Sequence, residues 1–200
     1  MTVLPTCPFP VPFWWKLASG ATVDVGEHYQ KQTYRNRYSV LGVNGPITLT
    51  IPVESQDGAK ISTKDIRIAE HGSWRRIHLG TLRSAYGKSS FFPFVSDAIE
   101  ALYKDISVRY VVDFNHRSVE ILSGLLGPLT YSVSTEFIRA EDISRDCRGL
   151  FDPATPLPGL PSYPQVFSDR FAYVSGLSVL DAAMNLGPLA TERVLLLKID

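Results

Sequence analysis

The pair Asn44-Gly45, set between the β-prone runs 38–41 and 47–53, constrains this chain more than any other feature. An Asn-Gly pair between apolar runs is the strongest short signal for two antiparallel strands joined by a tight turn. A hairpin is therefore expected early in the fold. Upstream, Val3 and Leu4 end a short strand, 13–17 reads as a helix with Pro12 in its first turn, and 22–25 reads as a second strand. That order makes a β-α-β opening. Downstream, Gln56-Asp57-Gly58 is a loop tip and 65–68 alternates as a further strand.

The middle of the chain changes period. Ser73 is a suitable N-cap for a helix reaching about Ala85, with Gly87 as its stop. Val95, Ala98, Ile99, Leu102 and Tyr103 mark an apolar helix face over 94–104. Residues 108–114 are β-branched and aromatic and predict a buried strand. Val119, Leu122, Leu125 and Leu126 predict a helix ending near Gly127, and 129–133 predicts a strand. Strand, helix and strand in alternation predict an α/β fold: a single domain over 1–200, a mixed sheet with an N-terminal hairpin, and helices packed on it from residue 73 onward. An α+β arrangement is the alternative. The five prolines of 151–165 forbid a helix there and predict a loop. A short final helix is expected over 177–186, stopped by Gly187-Pro188.

Composition excludes several classes. An apolar fraction of 44% and a charged fraction of 20% suit a soluble domain. No apolar run reaches the ~18 residues of a membrane span. The apolar start of the chain holds four prolines and no basic segment, which argues against a signal peptide. A cytoplasmic location follows as the expectation. Cys7 and Cys147 are read as two isolated thiols, with one disulfide as the alternative, and no metal-ligand spacing exists. Net charge is zero but uneven. Residues 1–90 hold 11 Lys/Arg against 6 Asp/Glu, and 91–200 hold 9 against 14. The basic half favours anionic ligands, yet the balance is far from that of a nucleic-acid binder.

The basic half also holds the most unusual composition. Segment 29–37 carries Lys31, Arg35 and Arg37, the amides Gln30, Gln32 and Asn36, two tyrosines and no acid. Guanidinium groups offer fixed forks of donors to carboxylate or phosphate. If the segment is extended, Tyr29, Lys31, Arg35 and Arg37 share parity and face one side. The plainer reading is a strand whose charged side meets solvent or carboxylates elsewhere.

His78 follows Trp74 by four residues, so the two share a helix face. Half-burial beside an indole would keep the imidazole neutral, as a general base requires. The plainer reading is a core-edge histidine bonded to a carbonyl. Asp113 and Asn115 alternate at the end of the predicted strand 108–114, where α/β proteins place ligands. Helix capping alone would also explain Asn115. Asp181 and Asn185 stand four apart on the last helix, and Tyr163 and Gln165 form a rim or lid at the end of the proline loop. No dinucleotide, phosphate-loop, nucleophile-elbow or zinc-protease motif is present.

Seven short segments in order resemble the WbqC-like family, in its shorter bacterial form. They are Tyr29-Gln30-Lys31-Gln32-Thr33-Tyr34-Arg35-Asn36-Arg37, Asn44-Gly45 with the run 49–53, Trp74 with His78, the run 85–92, Asp113-Phe114-Asn115, the run 163–167 and the run 177–188. The likeness spans about residues 25–190. Ala182-Ala183-Met184, Ser90 and the long proline loop depart from the family's usual pattern. The family is named from gene clusters for O-antigen and other surface polysaccharides. The resemblance therefore implies work on an activated sugar, with an anionic nucleotide-sugar or sugar phosphate as the partner molecule. It implies polar site roles for Lys31, Arg35, Asn36, Arg37, His78, Asp113, Asn115, Gln165, Asp181 and Asn185. The expectation is a transferase in which the cations hold the anion, His78 takes a proton, and Asp113 and Asn115 orient acceptor or base. A non-catalytic module that binds an anionic metabolite or a partner enzyme is the alternative.

Overall fold

The computed structural model describes residues 1–55, 60–154 and 158–198. The loop tip at 56–58 and part of the proline loop lie outside them. Strand β1 (Thr2–Leu4), helix α1 (Pro12–Ala18) and strand β2 (Thr22–Asp24) form the expected β-α-β opening. Pro12 opens α1, where its fixed φ suits a first turn. The Trp14 indole donates to the Pro5 carbonyl at 2.7 Å and so fixes α1 against the end of β1.

β1 and β2 pair in parallel, Val3 against Thr22. Strand β5 (Ser132–Ser134) extends the sheet beside β2, and β6 (Arg145–Asp146) extends it beside β1. The spatial order is β5-β2-β1-β6, all parallel. In chain order these strands run third, second, first, fourth, the order of half a doubly wound sheet. Val3 and Leu4 have no exposed surface, as befits a central parallel strand.

Strands β3 (Arg37–Gly42) and β4 (Gly45–Thr50) make the hairpin as a separate two-stranded ribbon. Its turn sits one residue earlier than the Asn-Gly pair suggests. Gly42 pairs with Gly45, so Val43 and Asn44 form the turn, and Gly45 supplies the left-handed backbone at φ 113°. Parallel sheet and antiparallel ribbon, with six α-helices among the described residues, give the α/β class expected.

Helices α2 (Trp74–Tyr86) and α3 (Phe92–Lys104) match their apolar periods. Ser73 precedes α2 in the left-handed region and gives no side-chain cap. Two strand readings fail. The 65–68 segment reduces to a one-turn 3-10 helix at 63–65 and isolated bridges, Val53 with Ile68 and Arg67 with Tyr110. The 108–114 segment mostly enters helix α4 (Val111–Leu126). Val111, Phe114, Ser118, Val119, Leu122 and Leu126 are buried at three- and four-residue spacing, so helical burial outweighs the β preference of the valines. Helices α5 (Val179–Leu186) and α6 (Leu189–Leu195) close the chain. Gly187-Pro188 stops α5 as expected, but α6 follows directly, so α5 is not the final helix. Cys7 and Cys147 are both buried and unpaired thiols.

Candidate functional site at the carboxyl edge of the parallel sheet

The residues just past the parallel strands are unusually polar for their burial. Asp24 ends β2 with no exposed surface. One carboxylate oxygen accepts the backbone N–H of Gly26 at 2.9 Å and of Glu27 at 3.0 Å. The other accepts from Arg148 Nη1 at 2.6 Å and from the Ile138 N–H at 3.2 Å. A Cβ at Gly26 would sit 2.5 Å from the backbone of Glu136, so only glycine lets these loops close together. Glu27, three residues beyond Asp24, forms a two-pronged pair with Arg35, both contacts at 2.7 Å. Arg35 also donates to Thr33 Oγ1 at 3.2 Å and to the Arg148 carbonyl at 3.2 Å. Burial pushes the Glu27 carboxyl above its ordinary range, and Arg35 opposes that push.

Beside this pair, β1 runs out into Thr6 and Cys7. Asn115 donates from Nδ2 to Thr6 Oγ1 at 3.2 Å and to the Arg35 carbonyl at 2.9 Å. Its Oδ1 is buried and has no hydrogen-bond partner among the described residues. Thr6, Cys7 and Asn115 line a cavity of about 300 Å³ between α4 and the strands β2 and β5, with Asp113, His116 and Lys64 also on its wall. Valines from β2, β5 and α4 make the rest of the wall largely apolar. Lys64 donates from Nζ to the Thr135 carbonyl at 2.9 Å. Burial pushes the Cys7 thiol well up, so it is no ready nucleophile. Among the described residues, no three His, Cys, Asp or Glu side chains gather as metal ligands.

The sequence-predicted residues divide into separate groups. Asp113 and Asn115 share the cavity, but from a helix rather than a strand: Asp113 is exposed and Asn115 is 1% exposed. Residues 31–36 run as successive turns and bends, so parity does not align the cations of the segment. Arg35 is fully buried on Glu27, Lys31 is exposed, and Arg37 begins β3 half-buried, its Nε without a partner among the described residues. Asn36 is buried and donates to the Ile51 carbonyl at 2.8 Å.

His78 lies elsewhere, buried edge-on against Trp74, Tyr38 and Tyr103. Its Nδ1 is 3.2 Å from the Tyr103 hydroxyl, which in turn lies 2.5 Å from the Tyr38 hydroxyl. Burial lowers the imidazole to about 4, so it is neutral as expected. It is not on the wall of the cavity. Gln165, Asp181 and Asn185 form a third group. Asp181 accepts from Tyr86 at 2.9 Å, Tyr163 at 2.7 Å and Gln165 at 2.9 Å, and Asn185 donates to its carbonyl at 2.8 Å. This carboxylate ties the end of the proline loop to α5.

Sequence reasoning missed Asp24, Glu27, Thr6 and Arg148. The rule that pointed to Asp113, polarity just beyond a buried strand, would have found Asp24 and Glu27 after β2.

An α/β protein with a third-second-first-fourth parallel sheet and polar groups massed at its carboxyl edge belongs to a class that binds ligands at that edge. The sequence model of the WbqC-like protein family matches residues 24–148, well over half of the 200, and the chain belongs to that family. No curated protein and no solved structure matches it. No helix among the described residues is long and apolar enough to cross a membrane.

Proposed function

We propose that this protein is a transferase acting on a nucleotide-linked or phosphorylated sugar in surface polysaccharide synthesis, and that it holds its substrate in the cavity against α4. The observation that carries the reading is the meeting of Thr6, Asp113 and Asn115 around one cavity at the carboxyl edge of the parallel sheet. Its volume of about 300 Å³ suits a group the size of a sugar ring. Asp113, exposed on the wall, accepts a proton from the attacking hydroxyl or amine. The unpartnered Oδ1 of Asn115 is an acceptor within the same wall. Lys64 on the rim meets the anionic part of the donor. In this reading Arg35 builds the edge rather than touching the anion, and His78 serves packing. Lys31 and Arg37 remain the cations of segment 29–37 without a carboxylate partner among the described residues. Gln165, Asp181 and Asn185 shape the protein away from the chemistry.

The test is a thermal-shift and turnover panel of nucleotide-sugars, sugar phosphates, nucleotides and acyl-CoAs on wild type and Asp113→Asn. Ligand at a hundred-fold excess over Kd stabilises the fold by about 2.7 kcal/mol. A positive shift with one donor class, and turnover reduced at least a hundred-fold in Asp113→Asn with binding kept, is the expected result. Binding without turnover in wild type would favour the second reading, a module that binds an anionic metabolite or partner enzyme. The observation favouring that reading is the separation of His78 from the cavity.

A further inference from the structure

A second hollow, of about 320 Å³, has Glu27 of the Glu27–Arg35 pair on its wall. Glu27 and His28 border it after β2, Asp146 and Arg148 at the end of β6, and Phe137 from the loop between β5 and β6. It lies at the carboxyl ends of strands that flank β1, beside the point where the chain crosses from one side of the sheet to the other.

Arg148 is held rigidly there. Nε and Nη2 donate to Asp146, with Nη2 at 2.6 Å, while Nη1 donates to Asp24 at 2.6 Å and to the Ile138 carbonyl at 3.0 Å. A guanidinium has five N–H donors. These contacts use four, so one Nη2 hydrogen keeps no partner among the described residues. The side chains of His28 and Gln30, both on the wall, are likewise without hydrogen bonds among the described residues. Phe137 is 56% exposed, with the Arg148 guanidinium 4.9 Å from its ring centroid on one face.

Charge decides between ligand classes. Asp24, Glu27 and Asp146 stand against Arg35 and Arg148, leaving one negative charge in excess. A phosphate or carboxylate would be repelled. A neutral ring with hydroxyls at its edge and C–H groups on its face fits. Hydroxyls both donate and accept, as the spare N–H, imidazole and amide require, and the C–H face covers exposed aromatic surface. We infer that this hollow binds a neutral polyhydroxylated ring, a glycosyl unit, stacked on Phe137 and hydrogen-bonded by Arg148, His28 and Gln30. The inference rests on the hollow alone and stands whether or not Asp113 performs group transfer.

The experiment titrates the full chain with a neutral methyl hexopyranoside, its N-acetylamino counterpart, a short neutral oligosaccharide and a hexose 1-phosphate, following the backbone amide signals of His28 and Gly149. Saturable shifts with at least one neutral glycoside, weakened at least tenfold by Phe137→Ala and by His28→Ala, are expected. Tighter binding of the oligosaccharide than of the monosaccharide identifies a polymer segment as the source; equal binding identifies a single sugar. No saturable shift with any neutral glycoside overturns the inference. So does tighter binding of the phosphate, or binding that Phe137→Ala leaves unchanged while the amide spectrum shows the variant folded.

Discussion

Glu27 and Asp181 are both carboxylates taken out of water, and the chain settles them by different chemistry. Glu27 meets a guanidinium face to face, one charge against another. Asp181 meets three neutral donors, two phenols and an amide. Burial raises both carboxyls, and in each case the partners pull the other way. The difference shows in what surrounds them. Glu27 sits where strand ends and loops meet, on the wall of the second hollow, and its partner Arg35 also touches the Arg148 carbonyl after β6. Asp181, on α5, holds the end of α2 through Tyr86 and the end of the proline loop through Tyr163 and Gln165. Charge pairing gathers several backbone segments at the sheet edge. Neutral donors clasp one loop and one helix end to α5.

The largest expected break falls on the charged region. Arg35→Ala strands Glu27 in a dry site and should cost about 3–5 kcal/mol in denaturant unfolding. The double change Glu27→Met with Arg35→Met should lie much closer to wild type, because no lone charge is left buried. A double variant as unstable as the single would show that Arg35 matters through its other contacts.

His78 provides a third, uncharged buried polar region for comparison. Below about pH 6.5 the unfolded imidazole takes up a proton. The folded one resists until about 4. Unfolding therefore becomes easier as pH falls through that window, by about 3 kcal/mol at most. Urea midpoints measured from pH 7 to 4 should fall, and His78→Phe should flatten that part of the profile. An unchanged slope in the variant would assign the fall to other groups.

The smallest expected effect is at the neutral clasp. Asp181→Asn replaces one acceptor oxygen with a donor and should cost about 1–3 kcal/mol. Cleavage by protease near 158–165 should quicken while the rest of the fold resists. Even loss of resistance throughout would mean that the clasp is as central as the ion pair.

These contrasts also explain what the sequence allowed one to read. The hairpin, the β-α-β opening and helices α2 and α3 come from local signals: a turn pair, an alternation, a 3.6-residue period. Residues 108–114 misled because valines favour strands only weakly, while Val111 and Phe114 bury on the same helix face as Ser118 and Leu122. β6 has two residues, too few for any periodic signal. Arg35 was visible as unusual but not as paired, since its meeting with Glu27 depends on the turns between them. Asp113 and Asn115 were expected at the end of a strand; both stand instead in the first turns of α4, on one cavity wall.

The pairing of β1 has a consequence in time. Val3 lies between Thr22 on one side and Asp146 on the other. β1 is made before both of its neighbours, and β6 emerges only after β2 to β5 and helices α1 to α4. Until then one edge of β1 stays open, with its backbone groups unclaimed and its apolar side chains uncovered. Such distant pairing slows folding and lengthens exposure to wrong partners. The ion pairs of Arg148, two residues beyond Asp146, become possible only once β6 has emerged. The candidate sugar hollow thus comes into being with the closing of the sheet, and a nascent chain stalled before β6 would have neither.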